Sequence, residues 1–152
     1  MHSLILTTCG GFLLAVLWMD LMFDVQVLRH GSGELPAPVL SSVRAYYGRV
    51  TTEASPMGHL IAVVMVITIV TQVIQISRAH EGRFVAIASL VASAGPILLA
   101  LLRVVPNAIR LGASSGNAMQ ESALARSICR DHFLCFIGIA AFVGMQLGRA
   151  AS

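Results

Sequence analysis

Four apolar stretches, at about residues 4–28, 57–79, 84–106 and 130–148, decide what this chain can fold into. Each runs for about 19 to 25 residues, enough for an α-helix to cross ~30 Å of hydrocarbon at 1.5 Å per residue. In lipid every backbone N–H and C=O must find a partner within the protein, and a helix does this within a single segment. The prediction is an all-α, four-transmembrane-helix up-down bundle, forming one integral membrane domain over residues 1–152.

Composition agrees. The chain is 57% hydrophobic and only 11% charged, with a mean hydropathy of +0.83, whereas a soluble domain is nearer a quarter charged. All ten basic residues are arginine, which fits codon bias in a GC-rich genome, and the expected home is a bacterial inner membrane. The net charge of +3 is scattered over membrane-flanking segments, so nucleic acid is not an expected partner. The first stretch lacks a basic leader and a small-residue cleavage site and runs straight into Trp18-Met19-Asp20, so it reads as a retained helix. Cys9, Cys129 and Cys135 form no CxxC motif and read as inert buried thiols.

The connections are unequal. The first, about 29–56, carries Gly31-Ser32-Gly33 and Pro36-Ala37-Pro38, then a predicted short helix over 39–49 with Tyr46 and Tyr47 at the membrane interface. Ser55-Pro56 is a helix start, with Ser as cap and Pro in the first turn. The second connection, 79–83, predicts a tight hairpin. The third holds Gly112 to Asn117, and residues 119–130 read as an amphipathic lead-in to the fourth span. Pro96 predicts a kink in the third span. Two small-residue series, Ala140/Gly144/Gly148 and Ser89/Ser93, predict close helix approach. Counting arginines on each face favours long connections in the cytoplasm.

Asp20 and Asp24 are the anomaly. They lie one turn apart on one face of the first span, where a carboxylate costs several kcal/mol unless paired, protonated or wetted. Up-down connectivity brings Arg103, Asn107 and Arg110 of the third span, His59 of the second, and Asp131 and His132 of the fourth toward the same mouth. One reading is an ion-paired bundle end in which Asp20 and Asp24 neutralise Arg103 and Arg110. A second is a pocket for a small lipophilic, aromatic or quinone-like molecule. There Asp20, Asp24, Arg103, Asn107 and Arg110 would bind substrate, and His59, His132 and Asp131 would move protons. A third is a metal site at Asp20, Asp24, His59 and His132, opposed by the neighbouring arginines and by the absence of an ExxH spacing. Haem is disfavoured, because His30, His59, His80 and His132 all fall near span ends. No cofactor is expected. Gln72 and Gln75, with Thr68 and Thr71, form a second polar strip suited to interhelical hydrogen bonds.

At Pro106-Asn107-Ala108-Ile109-Arg110-Leu111 the chain resembles the anthrone-oxygenase-like family of small four-helix membrane proteins. That resemblance implies cofactor-independent oxygenation of an aromatic substrate, and it carries over Asn107 and Arg110. The membrane glutathione-dependent enzymes of similar size are less similar. Whether the chain is an enzyme stays open: the alternative is a non-enzymatic membrane subunit or transporter accessory, acting as a homo-oligomer or in a membrane complex, with the cluster as assembly glue.

Overall fold

The computed structural model describes residues 2–53, 55–78, 82–114 and 116–151, and among these every regular element is helical. In chain order they are α1 (His2–Asp24), running into a 3-10 turn (Val25–Arg29); α2 (Ala37–Gly48), followed by a π-turn (Arg49–Glu53); α3 (Ser55–Arg78); α4 (Arg83–Leu99), a π-turn (Ala100–Val104) and α5 (Val105–Gly112); and α6 (Ala118–Ala151). Among the described residues, four helical stretches are long and apolar enough to cross a membrane: His2–Arg29, Pro56–Arg78, Arg83–Gly112 and Ala118–Ala150.

The four spans form a ring in which α1 packs on α6 and α3, and α4 packs on α6 and α3. Connectivity makes neighbours antiparallel. Large apolar side chains such as Leu4, Val66, Phe84, Leu102 and Ile137 stand exposed around the outside, as lipid requires. Inside, Leu6, Leu13, Ile139 and Phe142 form a buried core, joined by Ile61, Val64 and Met65 of α3 and Ala92 of α4.

Two boundaries differ from the sequence expectation. The helix that carries the fourth span begins well before residue 130, because residues 118–130, expected as an amphipathic lead-in, continue α6 without a break into a helix of 34 residues. Such a helix is about 50 Å long, against ~30 Å of hydrocarbon. The third span likewise runs on to Gly112 rather than ending near 106. The extra turns build a second layer at one end of the bundle. Val27, Leu35, Leu40, Val43 and Tyr47 pack there against Val104, Ala108, Leu111, Ala125 and Ile128. A cap of α2, α5 and the start of α6 thus closes the mouth.

Specific contacts fasten the cap. Arg44 of α2 pairs with the buried Glu121 of α6. Arg126 donates to the carbonyls of Gly31 and, at 2.7 Å, Gly33, and Ser122 Oγ accepts from the Leu35 amide at 2.9 Å. A Cβ on Gly112 would lie 2.8 Å from the Gly48 amide nitrogen, so α2 and α5 touch backbone to backbone there. Within the spans, a Cβ on Gly138 would collide with Pro96 Cγ and one on Gly10 would meet Val143 Cγ2 at 2.5 Å. These glycines set the α6 crossings with α4 and α1. Gly144 and Gly148 do not: a Cβ on either would meet nothing within 4 Å, and with Ala140 they face outward. The predicted 79–83 turn and His80 fall largely or wholly on residues 79–81, outside the described residues, but Gly82 enters α4 from a left-handed conformation (φ +66°) that favours glycine.

Candidate functional site

Asp20 and Asp24 project from one face of α1, and each uses its two oxygens differently. Asp20 Oδ1 accepts from the Tyr46 hydroxyl at 2.5 Å, and Asp24 Oδ1 accepts from the Tyr47 hydroxyl at 2.6 Å. Their Oδ2 atoms flank the His132 ring: Asp24 Oδ2 is 2.6 Å from Nδ1 and Asp20 Oδ2 is 3.7 Å from Nε2. The imidazole of α6 therefore sits between two carboxylates of α1, each tied to a phenol of α2. Three helices meet at five side chains. Asp24 is fully buried and His132 nearly so, and this density of partners is what makes buried carboxylates tolerable.

The tyrosines are held as donors. Tyr46 stacks on Phe23 with ring centroids 4.0 Å apart, and Tyr47 meets Tyr46 edge-on at 5.2 Å. Burial first, and the adjacent carboxylates second, push both phenols far above their ordinary range. They remain protonated and keep their hydrogens aimed at Asp20 and Asp24. Sequence reasoning placed this pair at the interface without assigning it to the acids. The available signal was two adjacent hydroxyl-bearing aromatics in the predicted helix nearest the mouth, facing two unaccounted carboxylates.

A second cluster centres on Asp131, also buried. Arg103 Nε lies 3.3 Å from its Oδ2 and Arg130 Nε 3.3 Å from its Oδ1. Ser127 joins them, 3.5 Å from Asp131 Oδ2 and 3.4 Å from an Arg103 terminal nitrogen. The carboxylate beside Arg103 is thus on α6, not on α1, unlike the pairing anticipated for an ion-paired bundle end.

The remaining candidates are placed differently. His59 is exposed in the first turn of α3, while Asp24, Asp131 and His132 are buried. Asn107 (half-buried) and Arg110 (exposed) ride on α5 in the cap layer. Arg103 lies within the π-turn at Ala100–Val104, whereas Asn107 and Arg110 follow it on α5. Metal chemistry finds no convergent donor set. The two carboxylates address opposite ring nitrogens of His132, and among the described residues no three His, Cys, Asp or Glu side chains are grouped to hold an ion. A surface cleft of about 310 Å³ at this rim is lined by Met22, Val25, Gln26, Arg29, His30 and Val39, outside both carboxylate clusters.

Toward the termini, the Gln72 amide donates to Ser93, the Gln146 amide donates to Ser89 Oγ at 2.7 Å, and Ser3 donates to the Gln146 carbonyl at 2.7 Å. This is the interhelical role expected of the Gln72 strip.

Comparison with known proteins supplies a decisive finding. The profile of the SHR3 chaperone family, described as ER membrane protein SH3, matches residues 1–150. The chain belongs to this family. No curated protein and no solved structure matches it. Membership of the SHR3 chaperone family overturns the resemblance to anthrone oxygenases, which rested on one six-residue element at the end of the third span. It also overturns the bacterial inner membrane as the expected location, since the family is one of ER membrane proteins. An arginine-only basic set reports nucleotide composition, not compartment, and so could not make that distinction.

Proposed function

We propose that this protein is a non-enzymatic chaperone of the ER membrane that shelters apolar segments of other multi-pass proteins. The observation that carries the reading is the family match over residues 1–150. The site geometry supports it. The carboxylates that a catalytic pocket would offer to substrate are engaged by Tyr46, Tyr47, His132, Arg103 and Arg130, so the cluster acts as a clasp joining the cap to the spans. The clasp keeps α1, α6 and α2 in fixed register while the outer faces stay available.

Two such faces stand out. On α3, Val63, Val66, Val70 and Val73 are more than half exposed. On α6, Ala140, Gly144 and Gly148 form an outward small-residue series that a partner helix can approach closely.

A photo-crosslinking residue at Val66 or Val70, in membranes of cells making the full chain, tests this reading. Crosslinks to multi-pass proteins, with aggregation of those proteins when the chain is depleted, are expected. Labelling of lipid alone, with unchanged folding of membrane proteins on depletion, overturns it.

A further inference from the structure

Arg103 and Arg130 differ from Arg44 and Arg126 of the cap. Arg44 meets a buried glutamate, and Arg126 meets two backbone carbonyls. Arg103 and Arg130 instead share one carboxylate, that of Asp131, so the group keeps one net positive charge. Both approach Asp131 through Nε, the guanidinium nitrogen nearest the stem, and their side chains are 49% and 64% exposed.

Depth gives the second observation. From Arg83 to Arg103 along the third span, and from Arg149 back to Arg130 along α6, the chain climbs about 30 Å at 1.5 Å per residue. That is the hydrocarbon thickness, so both guanidiniums arrive at headgroup level on the mouth side. Below them the surface is apolar. Leu134 and Ile137, four and seven residues beyond Arg130, share its helix face and are 53% and 63% exposed. Beside them, Gly138 lets α6 sit directly on Pro96 of α4.

We propose that Arg103 and Arg130 bind the phosphate of an anionic phospholipid, whose acyl chains lie over Leu134 and Ile137. Guanidinium terminal nitrogens match phosphate oxygens in fork geometry, and Asp131 fixes both stems from behind. A zwitterionic lipid offers the same phosphate but brings its own cation against the residual positive charge. The site therefore discriminates by headgroup charge. This inference is independent of the chaperone reading.

The test uses the full chain in nanodiscs of phosphatidylcholine doped with phosphatidic acid, with native mass spectrometry counting retained lipids. Phosphatidic acid is expected to be enriched over phosphatidylcholine, and Arg130→Gln to weaken that retention about fivefold, the effect of one basic residue near a membrane surface. Arg130→Gln leaves Arg103 on Asp131 and so preserves the fold. Arg29→Gln, an exposed basic residue on the same rim, serves as control and is expected to change retention little. Equal retention of the two lipids, or an Arg130→Gln protein indistinguishable from wild type, overturns the site. Displacement of phosphatidic acid by millimolar inorganic phosphate overturns the lipid assignment, because the acyl contacts would then contribute nothing.

Discussion

At the mouth, the spans and cap are joined by carboxylates, an imidazole, two phenols and two guanidiniums, whereas toward the termini they are joined by glutamine amides and serine hydroxyls. The difference follows depth. Asp20, Asp24, Asp131 and His132 lie toward the mouth ends of their spans, where phenols, guanidiniums and the imidazole supply the partners that limit the penalty of burying charge. Gln72, Ser89 and Ser93 lie further into the hydrocarbon, where a neutral amide can be satisfied by one or two partners but an ion cannot. Strong, multi-partner contacts are therefore concentrated where the cap must be held, and weak ones where helices need only be aligned.

Breaking the mouth is expected to have the largest effect. Asp24→Ala strands both the Tyr47 hydroxyl and His132 Nδ1, a loss on the order of 3–5 kcal/mol for a buried charge network. Unfolding in mixed detergent micelles measures it, and a cost below that of any change at Gln72 would reverse the comparison. The two tyrosines of the chain add an optical reading of the same clasp. Both phenols are raised, so their bonds contribute fully below an ordinary phenol value of about 10 and weaken only as pH climbs toward the folded-state values. Absorbance of tyrosinate is expected only on alkaline unfolding in the wild type. In Asp24→Ala it should appear at lower pH.

The next largest effect belongs to the contact between α2 and α5. Gly112→Val forces a side chain against the Gly48 backbone, which cannot swing aside as a flexible side chain can. A penalty of about 1–3 kcal/mol is expected, with the cap loosened and the spans intact. Hydrogen exchange should quicken over α2 and α5 and stay slow in α3 and α4. Uniform loss of protection would mean that the cap and the membrane layer fold as one unit, which would erase the distinction between them.

The amide end should respond less. Gln72→Leu removes the bond to Ser93 and the longer one to the Ser89 carbonyl at 3.5 Å, but it also removes a buried Oε1 that lacks a hydrogen-bond partner. Interhelical hydrogen bonds in membranes average about 0.6 kcal/mol, so a change below ~1 kcal/mol is expected in the same micellar unfolding assay. A larger loss would show that the terminal half carries as much of the bundle as the mouth.

The sequence made one layer legible and left the other obscure, for a physical reason. Span number and outward apolar faces follow from hydropathy, since lipid imposes one rule on every exposed residue. The short helix expected at 39–49 is present as Ala37–Gly48. The cap is hidden because residues 119–130 combine apolar positions with Glu121, Ser122 and Arg126, whose partners in the 31–44 segment cannot be inferred from spacing. At the site, the acids and His132 stood out as polar residues inside apolar runs, but Tyr46 and Tyr47 are unremarkable at an interface and gain their role only when α2 folds over α1. The two small-residue series divide: Ser89 and Ser93 are buried against Gln146 and Gln72 of neighbouring helices, whereas Gly144 and Gly148 face outward and the tightest glycine approaches occur at Gly10, Gly112 and Gly138, which carry no such repeat.

The smallest effect on the isolated protein should come from Gly144→Leu. Its position meets nothing within 4 Å and faces outward, and substitutions away from packed features usually change stability by no more than about 0.5 kcal/mol. Micellar unfolding should leave it level with wild type, unlike Gly138→Leu, whose neighbour is the Pro96 ring. The same substitution should nonetheless reduce crosslinking to a partner from a probe placed at the exposed Leu147, because a leucine at 144 props an approaching helix away from the α6 backbone. A stable variant with undiminished crosslinking would move the docking face to α3. An unstable one would mean that Gly144 is packed after all, and that the outward series belongs to the fold of this chain and not to its partners.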